Sequence, residues 1–321
     1  MKDYTFLVQQ IVDNEKKAAY HKSVILNTDL VASRFENYLF QEFSDKEFCN
    51  LLACSGFIPD LYSSDSSEET LYTKLIEVMV SNWGNRMGYK SKYLKEKASY
   101  EDVNINIGNK VIVCDAKSFR LGRSQAAPNV KDFLKLEDMR KWLGRYKNGL
   151  GGLVTYPDTH DWVKGSDAYL YCSTKDCPTV MMSYIYLAMI LHYKKRFDTN
   201  SLIEMWHYNR LFPQPLEKKM EGGNRIPYWN TINLEMQRIL NITEDELFNT
   251  FLFYKEMQKN VIMQNLYNLR KIKDNKINEI QTACNQMDEK EIREELISYK
   301  IRNETEEIDS FIGRIQKFRL K

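Results

Sequence analysis

The stretch DVNINIGNKVIVCDAK, residues 102–117, decides how this chain is expected to fold. Polar and apolar residues alternate over residues 102–107, and a period of two is typical of β-strands; the strand-like run KVIVCDAK follows Gly108 and Asn109. A Gly-Asn pair between two such runs is a frequent two-residue hairpin loop. The sequence therefore predicts an antiparallel β-hairpin that turns at residues 108 and 109.

The length of this loop also predicts the register of the hairpin. If Ile107 faces Lys110, then Asp102 lies directly across from Asp115. Directly opposed residues share a face of the sheet, with Cβ atoms roughly 4.5 to 5.5 Å apart. Lys117 follows Asp115 by two residues and belongs to the same face. Two carboxylates and an ammonium group are thus predicted to converge.

This group of side chains is suited to one kind of chemistry. Two ionised carboxylates at such a distance repel each other unless a cation lies between them. Mg²⁺ prefers oxygen ligands and is commonly bound by one or two carboxylates together with water and phosphate oxygens. Such an ion polarises a phosphodiester, and Lys117 can orient or deprotonate the attacking water. The pattern favours phosphodiester hydrolysis, with Asp102 and Asp115 as predicted Mg²⁺ ligands.

Alternatives remain open at this stage. A D-x-K tripeptide alone more often marks a strand end with exposed charges than a catalytic site. A bulge in the hairpin would shift the register by one residue, and Glu101 would then replace Asp102 as the first of the two acidic Mg²⁺ ligands, which we call the first acid. Glu77, on a predicted helix upstream, is a further catalytic candidate that could reach a second metal or a water. Its spacing agrees equally well with a solvated helix residue.

Cations and amides are concentrated in the residues that follow Lys117. Basic side chains beside a metal site can bind flanking phosphates, and Arg, Lys, Asn and Gln can reach base edges in the major groove. A polar loop with solvated cations is the plainer alternative. The predicted DNA-binding residues are Ser118, Arg120, Arg123, Gln125, Asn129, Lys131 and Asp132.

The remaining secondary-structure signals run helix, sheet, helix. Helical spacing covers residues 3–56, where Ser44 and Glu47 form a capping box, and residues 68–87. Strand-like runs occupy residues 151–157 and 167–172, and residues 180–193 are apolar enough for a buried helix. A loop is predicted over 212–227, and long helices follow from Thr243, which forms a capping box with Glu246.

These elements predict an α/β (α+β) fold, with a mixed central sheet flanked by helices and mostly helical N- and C-terminal regions. We expect an N-terminal helical region over residues 1–66, a catalytic core over 67–200 and a helical C-terminal region over 201–321. The three regions are expected to form one compact domain.

Composition sets further limits. The 46 basic and 44 acidic side chains give a net charge of only +2, so charge that binds DNA must be local. No apolar run is long enough to cross a membrane and no signal peptide is recognisable, which predicts a cytoplasmic protein without membrane contact. Cys172 and Cys177 are close enough to suggest zinc. No second pair completes a four-ligand site, and buried thiols are the preferred interpretation.

Several longer strings carry a resemblance to a known family. With DAKSFRLGR at 115–123 and KDF at 131–133, the chain resembles the HindIII family of type II restriction endonucleases, which belongs to the PD-(D/E)xK nuclease superfamily. The similarity extends over nearly the whole chain. It includes SGFIPD at 55–60, ETLYTKLIEVMV at 69–80, SKYL at 91–94, VCDAKSFRL at 113–121 and IDSFIGRI at 308–315.

The resemblance implies a Mg²⁺-dependent homodimer that cuts both strands of a short palindrome in double-stranded DNA and leaves 5'-phosphates. It also implies a cognate DNA methyltransferase in the same system, although not as a subunit. By this resemblance Asp115 and Lys117 match the D-x-K motif, Asp102 matches the first acid, and Glu77 aligns with an acidic helix position. Lys131 and Asp132 match the K-D-F string.

The chain also departs from the family pattern. Glu101 stands where the family has a glycine, which leaves the first acid open between Glu101 and Asp102. The loop over 124–130 is about two residues longer and contains Pro128, so the target sequence can differ. The alternative functions are a structure-specific nuclease of DNA repair or recombination and a non-enzymatic DNA-binding protein.

Overall fold

The computed structural model describes residues 6–94, 99–120, 135–158, 175–207 and 226–316. The chain divides into two compact units, Met1–Ile262 and Met263–Lys321. The first unit contains the sheet and the helices that pack on it. The second consists, in its described part, of helix from Met263 onward. The region boundaries near residues 66 and 200 stay predictions.

Three helices precede the sheet, as the helical spacing predicts. They are α1 (Leu7–His21), α2 (Thr28–Glu42) and α3 (Asp45–Ala53). The predicted capping box is confirmed: Ser44 Oγ accepts a hydrogen bond from Glu47 N, and the Glu47 carboxylate accepts one from Ser44 N. Gly56 follows the end of α3 with φ +93°, a conformation that glycine adopts without strain. It leads the chain into β1 (Phe57–Ile58).

Helix α4 (Ser67–Arg86) corresponds to the helix predicted over 68–87. The Ser66 side chain accepts a hydrogen bond from Glu69 N and caps its first turn. Most of its side chains from Leu71 onward are buried, on every side of the helix. The helix is therefore an internal element, and even Lys74 and Glu77 lie inside the core.

The described part of the chain contains a five-stranded mixed sheet. Its strands are β2 (Lys90–Tyr93), β3 (Val103–Ile107), β4 (Lys110–Ala116), β6 (Gly149–Tyr156) and β7 (Thr179–Ser183), in that spatial order. Strands β2, β3 and β4 are antiparallel neighbours, whereas β4, β6 and β7 run parallel. A short strand β5 (Phe119–Arg120) pairs separately with β1. The expected fold class, with a mixed sheet flanked by helices, is confirmed.

The hairpin register is confirmed as well. Ile107 faces Lys110 and Val103 faces Cys114, with no shift between them. Gly108 has φ +57°, the left-handed conformation that such a turn requires. The pairing keeps this register as far as Val103 and Cys114, and Asp102 and Asp115 are the next residues beyond that last pair.

One element was predicted wrongly. Residues 180–193 are not a single helix, because Thr179–Ser183 form strand β7 and only Tyr184–His192 form helix α6. All of β7 and nearly all of α6 are buried. A parallel strand covered on both faces is continuously apolar, so its sequence resembles that of a buried helix. The predicted strand over 151–157 corresponds to β6.

The other described helices are α5 (Leu136–Leu143), α7 (Ile226–Leu240), α8 (Glu244–Gln286) and α9 (Glu289–Gln316), with 3₁₀ turns at Lys194–Arg196 and Thr199–Trp206. Reciprocal hydrogen bonds between Thr243 and Glu246 confirm the second capping box. The predicted strand over 167–172, Cys172 and most of the loop over 212–227 lie outside the described residues. Cys177 is buried, and its sulfur lies 3.8 Å from the Thr179 hydroxyl. Over the described ranges, no helix is long and apolar enough to cross a membrane.

Candidate active site

The end of the hairpin brings two carboxylates together. Asp102 N donates a hydrogen bond to Cys114 O (3.0 Å), although Cys114 already faces Val103, so the β3–β4 pairing departs from its register by one residue at this end. The Asp102 side chain then turns toward β4, where its Oδ2 accepts a hydrogen bond from Ala116 N (2.9 Å). Asp115, the neighbour of that amide, is buried. Asp102 is therefore anchored next to Asp115 through the backbone of Cys114 and Ala116.

Lys117 completes this group. Its Nζ lies 2.6 Å from Asp115 Oδ2, and its side chain is largely buried. The Lys117 backbone is fixed on two sides, since its N donates to Thr155 O (2.8 Å) and its carbonyl accepts a hydrogen bond from Tyr184 Oη (2.8 Å). The lysine is thus held at the end of β4 by the neighbouring strand β6 and by the first residue of α6.

Glu77 approaches the same group from α4, in company with a residue that the sequence reading missed. Lys74 Nζ lies 2.7 Å from Glu77 Oε2, and both side chains are buried. Lys74 also donates to Leu94 O and lies 5.3 Å from the centre of the Tyr93 ring. The signal in the sequence was a Lys and a Glu three residues apart within an otherwise apolar helix.

The pKa of the Asp102 carboxyl responds to the acids around it. Burial raises the pKa of Asp102 well above its usual value, and the negative charges of Asp115 and Glu77 raise it further. The hydrogen bond from Ala116 N and the positive charge of Lys117 act in the opposite direction without cancelling this rise in pKa. Negative charge therefore accumulates around Asp102.

The donor set at this point fits a hard divalent cation. A bound cation relieves the repulsion between neighbouring carboxylates, and Mg²⁺ characteristically takes one or two of them. Within the described ranges, no group of three or more His, Cys, Asp or Glu side chains is arranged to hold a metal. Asp102 and Asp115 form a pair of carboxylates that water and phosphate oxygens would complete around such an ion.

Comparison with known proteins accounts for this geometry. Residues 27–311 match the model of the HindIII restriction endonuclease family. The chain belongs to this family. It is 26% identical over 219 residues to the type II restriction enzyme HindIII of Haemophilus influenzae, an alignment that covers 64% of this chain and 67% of that enzyme. The resemblance stated from the sequence is confirmed, and the chain is a site-specific deoxyribonuclease that acts on double-stranded DNA.

In this HindIII-family member, Glu101 has different contacts from Asp102. Its buried carboxylate accepts hydrogen bonds from Tyr146 Oη and, at 3.4 Å, from Asn104 Nδ2. Arg145 lies 3.9 Å from its second oxygen. Glu101 therefore anchors the turn between α5 and β6. These contacts favour Asp102 over Glu101 as the first acid.

Two of the predicted DNA-binding residues of this family member are described. Arg120 is occupied within the protein, because it pairs with Glu69 at 2.9 Å and donates to Pro59 O, Tyr62 O and Ser63 O. These contacts suit a role in fixing the turn after β1 better than a role in binding phosphate. The Ser118 hydroxyl is buried beside Lys117, with no hydrogen-bond partner in the described part of the chain. The others, Arg123, Gln125, Asn129, Lys131 and Asp132, lie outside the described residues.

Proposed function

We propose that this HindIII-family protein hydrolyses both strands of a short palindromic DNA site in a Mg²⁺-dependent reaction that leaves 5'-phosphates. The observation that carries the proposal is the convergence of Asp102, Asp115 and Lys117 at the end of the hairpin. Glu77 is included as an auxiliary acid, because its charge acts on Asp102.

Asp102 and Asp115 are the residues that would hold Mg²⁺. When bound there, the ion would polarise a phosphodiester, lower the pKa of a bound water and stabilise the leaving oxygen. The Ala116 amide keeps the Asp102 carboxylate oriented, which limits the reorganisation needed for binding. Glu77 lies near enough for its charge to influence the same position, which suits a water or a second cation.

Lys117 would act on the attacking water and on the phosphate. Its ammonium group can orient the water, and a deprotonated amine can accept its proton. The water oxygen gives up a proton and forms a bond to phosphorus, and the bond from phosphorus to the 3' oxygen breaks. The 3' oxygen takes up a proton from solvent, and the phosphate stays on the 5' end of the downstream fragment. Water-restricted burial strengthens the attraction between Lys117 and the developing negative charge.

A palindromic target is most simply matched by a symmetric homodimer, since the twofold axis of the protein then coincides with that of the site. Each protomer would cut one strand. A cognate DNA methyltransferase is proposed as a separate protein of the same system, because unmodified host DNA would otherwise be cut.

Digestion of phage DNA tests this proposal. The purified protein with Mg²⁺ should yield discrete fragments, and sequencing of their ends should reveal one short palindrome with 5'-phosphates. Asp115→Ala should give no fragments. Asp138→Ala, which removes an exposed acid on α5, should cut like the wild type.

Two outcomes would count against the proposal. A folded wild-type protein that leaves DNA intact with Mg²⁺ would contradict it. Faster cleavage of branched or nicked DNA than of plain duplex, with no defined sequence at the ends, would point to a structure-specific nuclease.

A further inference from the structure

In its described part, the second compact unit is a pair of helices with an exposed apolar surface. We call residues 263–316, which comprise the second part of α8 and all of α9, the C-terminal arm. Every side chain from Arg270 to Gln286 and from Asp288 to Glu304 is exposed. Large apolar side chains are among them, at exposures of 40–59%: Ile272, Ile277, Ile280, Ile292, Leu296, Ile297, Tyr299 and Ile301. Helices in water derive most of their stability from packing an apolar face, so this surface requires a cover.

The apolar positions of α8 form a stripe that is typical of helix–helix packing. They recur in steps of three or four residues over about five helical turns. Lys273 is the charged residue among these apolar positions. Alternating steps of three and four keep such residues on one side of a helix and are the pattern of a coiled-coil seam. The stripe consists of Leu266, Leu269, Lys273, Ile277, Ile280 and Cys284. A second helix is the kind of surface that fits it.

The charges of the two arm helices indicate which helix packs against the stripe of α8. In the arm, α8 carries four basic and two acidic residues, whereas α9 carries eight acidic and five basic residues. The first segment is thus positive and the second negative. Opposite charges beside an apolar seam set the choice and orientation of partner helices. The acidity of α9 argues against DNA as the cover of the arm, since the DNA backbone is itself negative.

A second copy of the chain supplies a negative helix for α8 and a positive helix for α9. In a twofold arrangement, α8 of one protomer meets α9 of its partner, and the reciprocal contact forms by symmetry. The 28 residues of α9 extend about 42 Å at 1.5 Å per residue. Two such contacts are long enough for an interface of standard size, about 800 Å² per partner.

We propose that the C-terminal arm is the dimerisation surface of this protein, and that α8 of each protomer packs against α9 of the other. The inference rests on the proposed function in one respect, because it gives the location of the dimer contact that cleavage of both strands of a palindrome requires.

Sedimentation of the full-length protein without DNA or Mg²⁺ tests the inference separately from nuclease activity. The wild type should sediment at twice the 38.1 kDa chain mass. The double variant Ile277→Glu/Ile280→Glu should weaken association at least 100-fold and sediment as a monomer. Ile297→Glu/Ile301→Glu should do the same from the other helix. Asn275→Glu/Gln281→Glu adds the same charge to α8 outside the stripe and should stay dimeric.

The possible results separate the two proposals. A wild-type monomer, or a dimer that persists in both isoleucine variants, would overturn the assignment of the arm whether or not the protein cuts DNA. A dimer that depends on α8 alone would overturn the pairing of α8 with α9. If the arm is the interface, the monomeric variants should convert a single-site plasmid mainly to nicked circles, whereas the dimer yields linear DNA. A dimeric wild type that cuts no DNA would instead contradict the proposed function alone.

Discussion

Lys74 and Glu77 form a buried ion pair one turn apart on α4, with Lys74 Nζ 2.7 Å from Glu77 Oε2 and side-chain exposures of 2% and 6%. The pair joins the helix to the segment before the hairpin, because Lys74 also donates to Leu94 O. Charges are buried at considerable cost unless they are paired and hydrogen-bonded. The pair therefore connects the stability of α4 with the position of Glu77 near Asp102.

Removal of this lysine should destabilise the protein strongly. Lys74→Met takes a buried positive charge away from Glu77, and breaking a buried ion pair costs about 3 to 5 kcal/mol. We expect a fall of that size in the free energy of unfolding, measured by urea denaturation. Lys141→Met is the matched control, because Lys141 pairs with Asp138 at the same spacing on an exposed surface. That control should change stability by less than about 0.5 kcal/mol, and equal losses in both variants would contradict the prediction.

The raised pKa of Asp102 predicts a variant that gains stability as it loses function. The pKa of Asp102 is raised in the folded state, so its ionisation disfavours folding as the pH rises through that value. Asp102→Asn removes this cost and keeps an oxygen that can accept the hydrogen bond from Ala116 N. At pH 8 and without metal, the Tm of the variant should exceed that of the wild type by about 2 °C or more for each kcal/mol of free energy of unfolding gained.

The pH and metal dependence of this effect provides the controls. The difference in Tm between variant and wild type should shrink at acid pH, where Asp102 in the wild type is protonated. Mg²⁺ should raise the Tm of the wild type more than that of Asp102→Asn. Calorimetry of both proteins at two pH values measures these effects. A lower Tm for the variant at pH 8 would show that the ionised carboxylate is not a cost to the fold.

Local patterns account for the part of the site that the sequence predicts. A two-residue loop and the strand-like runs on either side of it determine the hairpin, and the hairpin brings Asp102 and Asp115 to the same end. These relations depend on residues less than 20 positions apart. The sequence leaves the first acid open between Asp102 and Glu101, because it fits a one-residue bulge as well as a regular register. The contacts of Glu101 with Tyr146 and Asn104, which depend on the fold, distinguish the two acids.

Tertiary packing determines the features that the sequence did not predict. The burial of Lys74 depends on the elements that surround α4 on all sides, and no period within the helix reports it. The division of residues 180–193 into β7 and α6 depends on the pairing of β7 with β6. The sequence predicts that Arg120 binds DNA, but the approach of β1 to β5 places Glu69 and three carbonyl oxygens around its guanidinium group.

Lys117 should affect catalysis without affecting DNA binding. Lys117→Met removes the group proposed to orient or deprotonate the attacking water, and such groups typically contribute about 10²- to 10⁴-fold in rate. We expect a loss of cleavage rate in that range at saturating Mg²⁺, with DNA affinity measured in Ca²⁺ changed less than about threefold. Lys110→Met, at the opposite end of β4, should retain full activity. If the Lys117 variant lost DNA affinity in proportion to its rate, the lysine would act in binding rather than in the chemical step.

Tyr184 offers a more selective test of how the site is held together. Its fully buried hydroxyl donates to Lys117 O at 2.8 Å, so Tyr184→Phe leaves that carbonyl without this partner. The loss should lower stability by about 1 to 3 kcal/mol. Because the backbone of Lys117 becomes less constrained, kcat should fall about 10-fold while KM stays unchanged.

Tyr186→Phe is the matched control two residues along α6, since its hydroxyl donates to Asn233 Oδ1 at 2.7 Å, away from the site. It should lose similar stability and keep its kcat. Equal effects of the two variants on kcat, measured under conditions in which both are folded, would assign Tyr184 to general stability rather than to the positioning of Lys117.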